Sequence, residues 1–66
     1  MEFEQIVYDK GDGAATITLN RPERMNAFTD VMIREWASAI EDARLDREVK
    51  AVIVTGAGRG FCAGAD

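Results

Sequence analysis

The 66-residue chain has no histidine, one cysteine (Cys62) and one proline (Pro22). The disulfides and metal sites that commonly support domains this small are therefore missing. A chain of this length forms at most one small domain and removes a modest fraction of its surface from water, so its stability alone is expected to be marginal. More protein is the expected source of the missing support. The chain also lacks an excess of positive charge: 8 Lys and Arg against 12 Asp and Glu give a net charge of -4. That balance argues against a nucleic-acid binder, which needs Lys and Arg gathered on one face. It has no apolar run long enough for a signal sequence or a membrane span, and its first residues, MEFEQIVYDK, are acidic. A lone cysteine fits a reducing compartment, and the cytoplasm is the expected location. There is no internal repeat, low-complexity tract or linker.

What is present, 47% hydrophobic and 30% charged residues, is ordinary for a globular protein. Phe3 to Tyr8 and Ala14 to Leu19 carry β-formers, and Lys10-Gly11-Asp12-Gly13 between them tolerates positive φ, which predicts an antiparallel hairpin. In the second segment Ala15, Ile17 and Leu19 alternate with Thr16 and Thr18, so one face is apolar. Asn20 to Arg24 breaks the strand, because Pro22 lacks an amide hydrogen and restrains Arg21. From about Asp30 to Leu45, Met32, Ile33, Trp36, Ala37, Ile40 and Ala43 recur at helical spacing. Thr29 is the expected N-cap, with Asn26 competing, and Asp30 favours the positive end of the helix dipole. Lys50 to Val54 is a β-branched apolar run of the kind found in a strand buried on both faces. The sum is an α/β fold containing a right-handed βαβ crossover whose helix packs through Trp36 and Ile40.

The loop Gly56-Ala57-Gly58-Arg59-Gly60 follows the last strand at its carboxyl end, where open α/β folds place ligands. Neither phosphate-binding pattern fits it: both the dinucleotide fingerprint and the P-loop require glycine at position 61, which is Phe61. Taken alone, the loop reads as a mobile turn. Cys62 has no histidine to activate it and reads as packing. Met25 and Phe28 read as a hydrophobic staple or core. Glu35, Glu41, Asp42, Asp46 and Glu48 offer no pair of catalytic geometry, Asp42 and Asp46 being an i, i+4 pair on a solvated helix face.

Three blocks taken together change the weight of these signals: Asn20-Arg21-Pro22-Glu23-Arg24-Met25-Asn26-Ala27-Phe28, then Val52-Ile53-Val54-Thr55-Gly56, then Phe61-Cys62-Ala63-Gly64-Ala65-Asp66. In order and spacing they resemble the enoyl-CoA hydratase/isomerase, or crotonase, family over almost the whole chain. The resemblance implies a spiral of repeated ββα units, with the hairpin, helix and last strand forming its first turn. Residues 1–66 would then be the N-terminal part of a single domain, stopping after its first oxyanion-hole segment. It also implies subunits that assemble as trimers or pairs of trimers.

The chemistry implied by the resemblance passes through a thioester enolate held by two backbone N–H groups, one of which maps onto Ala65. A peptide N–H needs no reactive side chain, and a small residue lets the thioester approach. Gly64 would allow the close turn, and Asp66 would cap a following helix. Coenzyme A, the carrier portion of the substrate, would be met by Arg24 at its phosphates and by Ala27, Ala63, Gly64, Ala65 and Asp66 along its pantetheine and adenine portions. For Arg21 and Arg59 a solvated surface charge is at least as good a reading as a phosphate contact. No metal or prosthetic group is implied. The activity expected of the parent protein is reversible addition of water to a 2-enoyl-CoA, with isomerase or hydrolase chemistry of the same family as alternatives. The 66 residues alone are expected to be inactive. A reading of another class, a non-catalytic interaction piece docking through its sheet edge and helix face, remains open.

Overall fold

The computed structural model describes residues 2–62 and Gly64. Three strands, β1 (Ile6–Gly11), β2 (Ala14–Leu19) and β3 (Ala51–Gly56), form one sheet in the order β1-β2-β3, and helix α1 (Asp30–Leu45) lies between β2 and β3 in sequence. β1 pairs antiparallel with β2, and β2 pairs parallel with β3. The arrangement is the expected α/β one.

The hairpin forms with a different boundary. Strand β1 begins at Ile6 rather than Phe3 and continues through Lys10 and Gly11, leaving Asp12-Gly13 as a two-residue turn. Both turn residues have positive φ, 53° and 80°. That geometry matches the right-handed twist of paired strands, which is why an Asp-Gly pair suffices and the longer loop is not needed. The Gly13 carbonyl accepts from Lys50 N at 2.6 Å, fastening the start of β3 to the hairpin tip.

The alternation in β2 sets the core. Ala15, Ile17 and Leu19 are fully buried, and Ile6, Met32, Ala39 and Ala43 complete the buried apolar set. Registration of Ile6 opposite Leu19 and Tyr8 opposite Ile17 places those β1 residues on the same face. Helix α1 covers that face, lying mainly over β1 and β2. Its first turn is capped as expected, with Met32 N donating to Thr29 Oγ at 3.1 Å, and the same hydroxyl donates to Gln5 Oε1.

Two expectations about packing are corrected. Ile40 does not face the core: it is 43% exposed, and the buried line of the helix is Met32, Ala39 and Ala43, with Trp36 partly buried beside Phe28. Nor is β3 buried on both faces, since Val52 and Ile53 are 44% and 50% exposed. Among the described residues β3 is an edge strand bonded only to β2, and it extends past the cover that α1 gives to β1 and β2. Its sequence is that of a strand with neighbours on both sides, whereas among the described residues it has one.

At the opposite end of the helix, Asp42 and Asp46 are more than a solvated pair. Lys10 Nζ lies 3.0 Å from Asp42 Oδ2 and 2.7 Å from Asp46 Oδ2, and Tyr8 Oη donates to Asp42 Oδ2 at 2.7 Å. Glu35 fastens the other end of β1, accepting from Glu4 N and Gln5 N at 2.7 Å each. Among the described residues, no helix is long and apolar enough to cross a membrane.

Candidate functional site

Because β2 and β3 run parallel, their carboxyl ends lie side by side, and the segments that leave them, residues 20–29 and residues 57–62 with Gly64, meet at one edge of the fold. The sequence block at 20–28 thus has Phe61, Cys62 and Gly64 of the last block as spatial neighbours. After Leu19 the chain makes a single 3-10 turn, Pro22–Arg24, in which Pro22 occupies the first position, where its missing N–H costs nothing. Met25 and Asn26 follow with φ of 51° and 58°, a left-handed pair that reverses the chain toward α1.

Asn26 is the centre of this junction. It is fully buried, and its side chain is not the helix cap that competed with Thr29. Its Oδ1 accepts from Arg21 N at 2.7 Å, and its Nδ2 donates to Ala57 O at 2.9 Å and Gly60 O at 2.7 Å. Arg21 N can only donate and the two carbonyls can only accept, so the network itself fixes which way the amide points. The role was not legible in the sequence, because the two carbonyl partners stand 31 and 34 residues away.

The glycine loop is closely packed rather than a free turn. A Cβ at Gly56 would stand 2.7 Å from the carbonyl oxygens of Gly60 and Phe61 and 2.8 Å from Asn26 Nδ2. Gly58, with φ of 81°, lies against Pro22, and Gly60 lies against the Met25 side chain. These glycines bring the backbone of the β3 loop onto the β2 loop. Ala57 N donates to Leu19 O at 2.8 Å and continues the sheet contact into the loop.

Gly64 has φ of 112°, a conformation that glycine adopts readily, and its carbonyl accepts from Phe28 N at 2.8 Å. Cys62 is half-buried and packs against the core, as expected, while Gly64 N approaches its sulfur at 3.5 Å. Ala63, Ala65 and Asp66 lie outside the described residues. Ala27 is half-buried between Asn26 and Phe28; its N donates to Arg24 O at 3.1 Å, and its carbonyl accepts from Arg21 Nη1 at 2.6 Å. Arg21 is therefore engaged in the loop rather than a free surface charge. Arg24 is exposed at the end of the 3-10 turn, and Arg59 is exposed in the glycine loop. Among the described residues no group of three His, Cys, Asp or Glu side chains could hold a metal ion.

The arrangement offers backbone amides and small residues instead of reactive side chains, next to an exposed arginine. Comparison with known proteins gives it a context. The sequence model of the enoyl-CoA hydratase/isomerase family matches residues 9–66. The chain is 48% identical over its whole length to a 1,2-epoxyphenylacetyl-CoA isomerase of Escherichia coli, covering 24% of that protein. It is 45% identical over 65 residues to a probable enoyl-CoA hydratase of Mycobacterium tuberculosis, covering 25% of it. The crystal structure of an enoyl-CoA hydratase/isomerase from Mycobacterium paratuberculosis superposes with a TM-score of 0.96 at 46% identity, over 98% of this chain and 26% of the other. A corresponding protein from Xanthobacter autotrophicus gives the same TM-score at 48% identity, over 98% of this chain and 24% of the other. The chain thus spans about a quarter of the length of the relatives it matches. With the family model matching nearly all of the chain and its ββαβ unit superposing on solved members, the chain belongs to the enoyl-CoA hydratase/isomerase family and has the N-terminal architecture of the crotonase fold.

Proposed function

We propose that this segment forms part of an enzyme acting on acyl-CoA thioesters, with reversible hydration of a 2-enoyl-CoA as its reaction, and that it supplies one of two backbone donors to the developing enolate oxygen through Ala65 N–H. The observation that carries the proposal is Gly64, held with φ of 112° by the Phe28 N–H to Gly64 O bond immediately before position 65. A donor fixed before the reaction begins stabilises charge that appears only in the transition state, without the reorganisation that water would need. Arg24 would meet the phosphates of coenzyme A, and Ala27 with residues 63–66 would line its pantetheine and adenine portions. The Ala27 carbonyl accepts from Arg21 Nη1, and a carbonyl oxygen has a second lone pair with which it would accept a ligand hydrogen. The groups that move protons and the second donor would come from sequence outside these 66 residues. The same proposal includes a cytoplasmic enzyme assembled as a homotrimer or hexamer.

A second reading, isomerisation of an acyl-CoA, is favoured by one specific observation: the 48% identical Escherichia coli relative is named as an isomerase. Both reactions use the same oxyanion site and differ in the proton-moving groups.

The test is a completed enzyme in which residues 1–66 replace the matching quarter of the Mycobacterium paratuberculosis enoyl-CoA hydratase/isomerase. It is expected to hydrate crotonyl-CoA, with Ala65→Pro lowering kcat roughly 10²- to 10³-fold by removing the N–H. A folded completed enzyme that neither hydrates nor isomerises 2- or 3-enoyl-CoA substrates would overturn the proposal.

A further inference from the structure

Asn26 has a place in the fold that neither helix capping nor simple core packing explains. It is fully buried and polar, and both of its amide hydrogens go to the segment that follows β3, at Ala57 O and Gly60 O. Two residues later, Phe28 N reaches the same segment at Gly64 O. The stretch Asn26 to Phe28 thus holds the chain at Gly60 and again at Gly64, leaving only three residues between the anchors. Position 65 follows the second anchor directly.

From this geometry we infer that Asn26 is a positioning residue for the oxyanion donor, setting where the Gly60–Gly64 segment, and with it the amide of residue 65, stands relative to the β2 loop. The inference rests on the reading of function given above. The Asn26 side chain does not touch the reacting atoms; it acts through the carbonyls that it holds. Neither neighbouring amide chemistry nor a simple replacement reproduces it. Aspartate has the same shape and tolerates the left-handed backbone, but an ionised carboxylate would turn an oxygen toward two carbonyl oxygens where the amide presents N–H groups. Glutamine adds a methylene to a side chain that is already fully buried, so its amide cannot reach the same three partners without displacing what surrounds it. Glycine keeps the backbone conformation and removes all three hydrogen bonds.

The experiment compares the completed enzyme with its Asn26→Asp and Asn26→Gly variants in two ways: amide hydrogen exchange, read at Phe28 and at Ile17 in the central strand, and steady-state kinetics with crotonyl-CoA. Selective acceleration at Phe28 with Ile17 unchanged is the expected result, together with a fall in kcat of roughly 10- to 100-fold and little change in KM, as a small displacement of a catalytic group produces. Unchanged Phe28 exchange overturns the inference whatever the activity, because the segment is then held without Asn26. Accelerated exchange with unchanged kcat also overturns it, since the side chain is then structural only. Should the unmutated completed enzyme fold and lack activity, the reading of function fails separately, and Phe28 exchange still decides whether Asn26 holds the segment. Where the aspartate variant does not fold, the glycine variant carries the same comparison.

Discussion

Gly56 closes the last pair in the parallel register, opposite Leu19, and there the fold leaves no room for even a methyl group. The atoms it would meet are mostly backbone carbonyls, which cannot rotate away as a side chain could. Gly56→Ala in the completed enzyme is therefore expected to cost about 1–3 kcal/mol of stability, the usual range for overpacking a closely filled site. Chemical denaturation checks this, and an unchanged midpoint would show that the two loops can separate without loss. The residue scale is also where sequence reading reached least far. The alternation of Ala15, Ile17 and Leu19 was legible because its partners follow a period of two, and Thr29 because a cap bonds within its own turn. Two of the three Asn26 hydrogen bonds run to residues 31 and 34 positions away, and no local pattern encodes those two. Of the candidate site, Gly64 has a φ that favours glycine, whereas Ala63, Ala65 and Asp66 lie outside the described residues.

At the scale of elements, β1 is tied to the carboxyl-terminal half of α1 by Lys10, Tyr8, Asp42 and Asp46. The Tyr8 and Lys10 hydrogen bonds hold Asp42 below the ordinary aspartate value of 3.8, and the Lys10 bond holds Asp46 below it as well. A carboxylate with a depressed folded pKa contributes stability that is present above its unfolded value and lost as pH falls through the folded one. The acid side of the stability curve should therefore fall below pH 3.8, and Asp42→Asn should flatten that fall. On the alkaline side, burial and then the hydrogen bond to Asp42 push Tyr8 up to about 12, and the hydrogen bonds that Lys10 donates to Asp46 and Asp42 raise it above 10.5. Groups raised on folding stabilise below their unfolded values and lose that contribution as pH rises through the folded ones. Thermal melts across both ends of the pH range measure the effect. An Asp42→Asn variant whose pH dependence matches the unmutated protein would show that the clasp is energetically silent, as many exposed ion pairs are. The apolar pattern of α1 was legible as a helix of correct length, but its rotation was not: Met32, Ala39 and Ala43 point inward while Ile33 and Ile40 remain exposed. Two apolar stripes on one helix are compatible with either orientation until a second surface is present.

For the molecule as a whole, the surfaces left open decide how these 66 residues behave by themselves. Ile33, Ile40, Leu45, Val52, Ile53 and Phe61 are each more than two-fifths exposed, while the buried apolar set is built largely from β2 and three helix positions. Ile40 and Val52 border one open groove between α1 and β3, and Phe28, Ile33, Trp36, Ala37 and Ile40 border another. Among the described residues the outer edge of β3 has no strand paired with it, and such an edge is a template for pairing with another chain. A domain of this size buries only about 60% of the surface its unfolded chain exposes, which leaves little margin over the entropy of folding. The isolated segment is thus expected to lack a sharp cooperative melt and to self-associate as its concentration rises, with no hydration of crotonyl-CoA. In the completed enzyme the same residues should become resistant to hydrogen exchange along β3. Sedimentation velocity and thermal melting of the segment alone decide the matter. A folded, monodisperse monomer with a cooperative transition would mean that the hairpin, helix and edge strand suffice without further cover. It would also strengthen the alternative in which this ββαβ unit serves as an interaction piece rather than as the first turn of an enzyme.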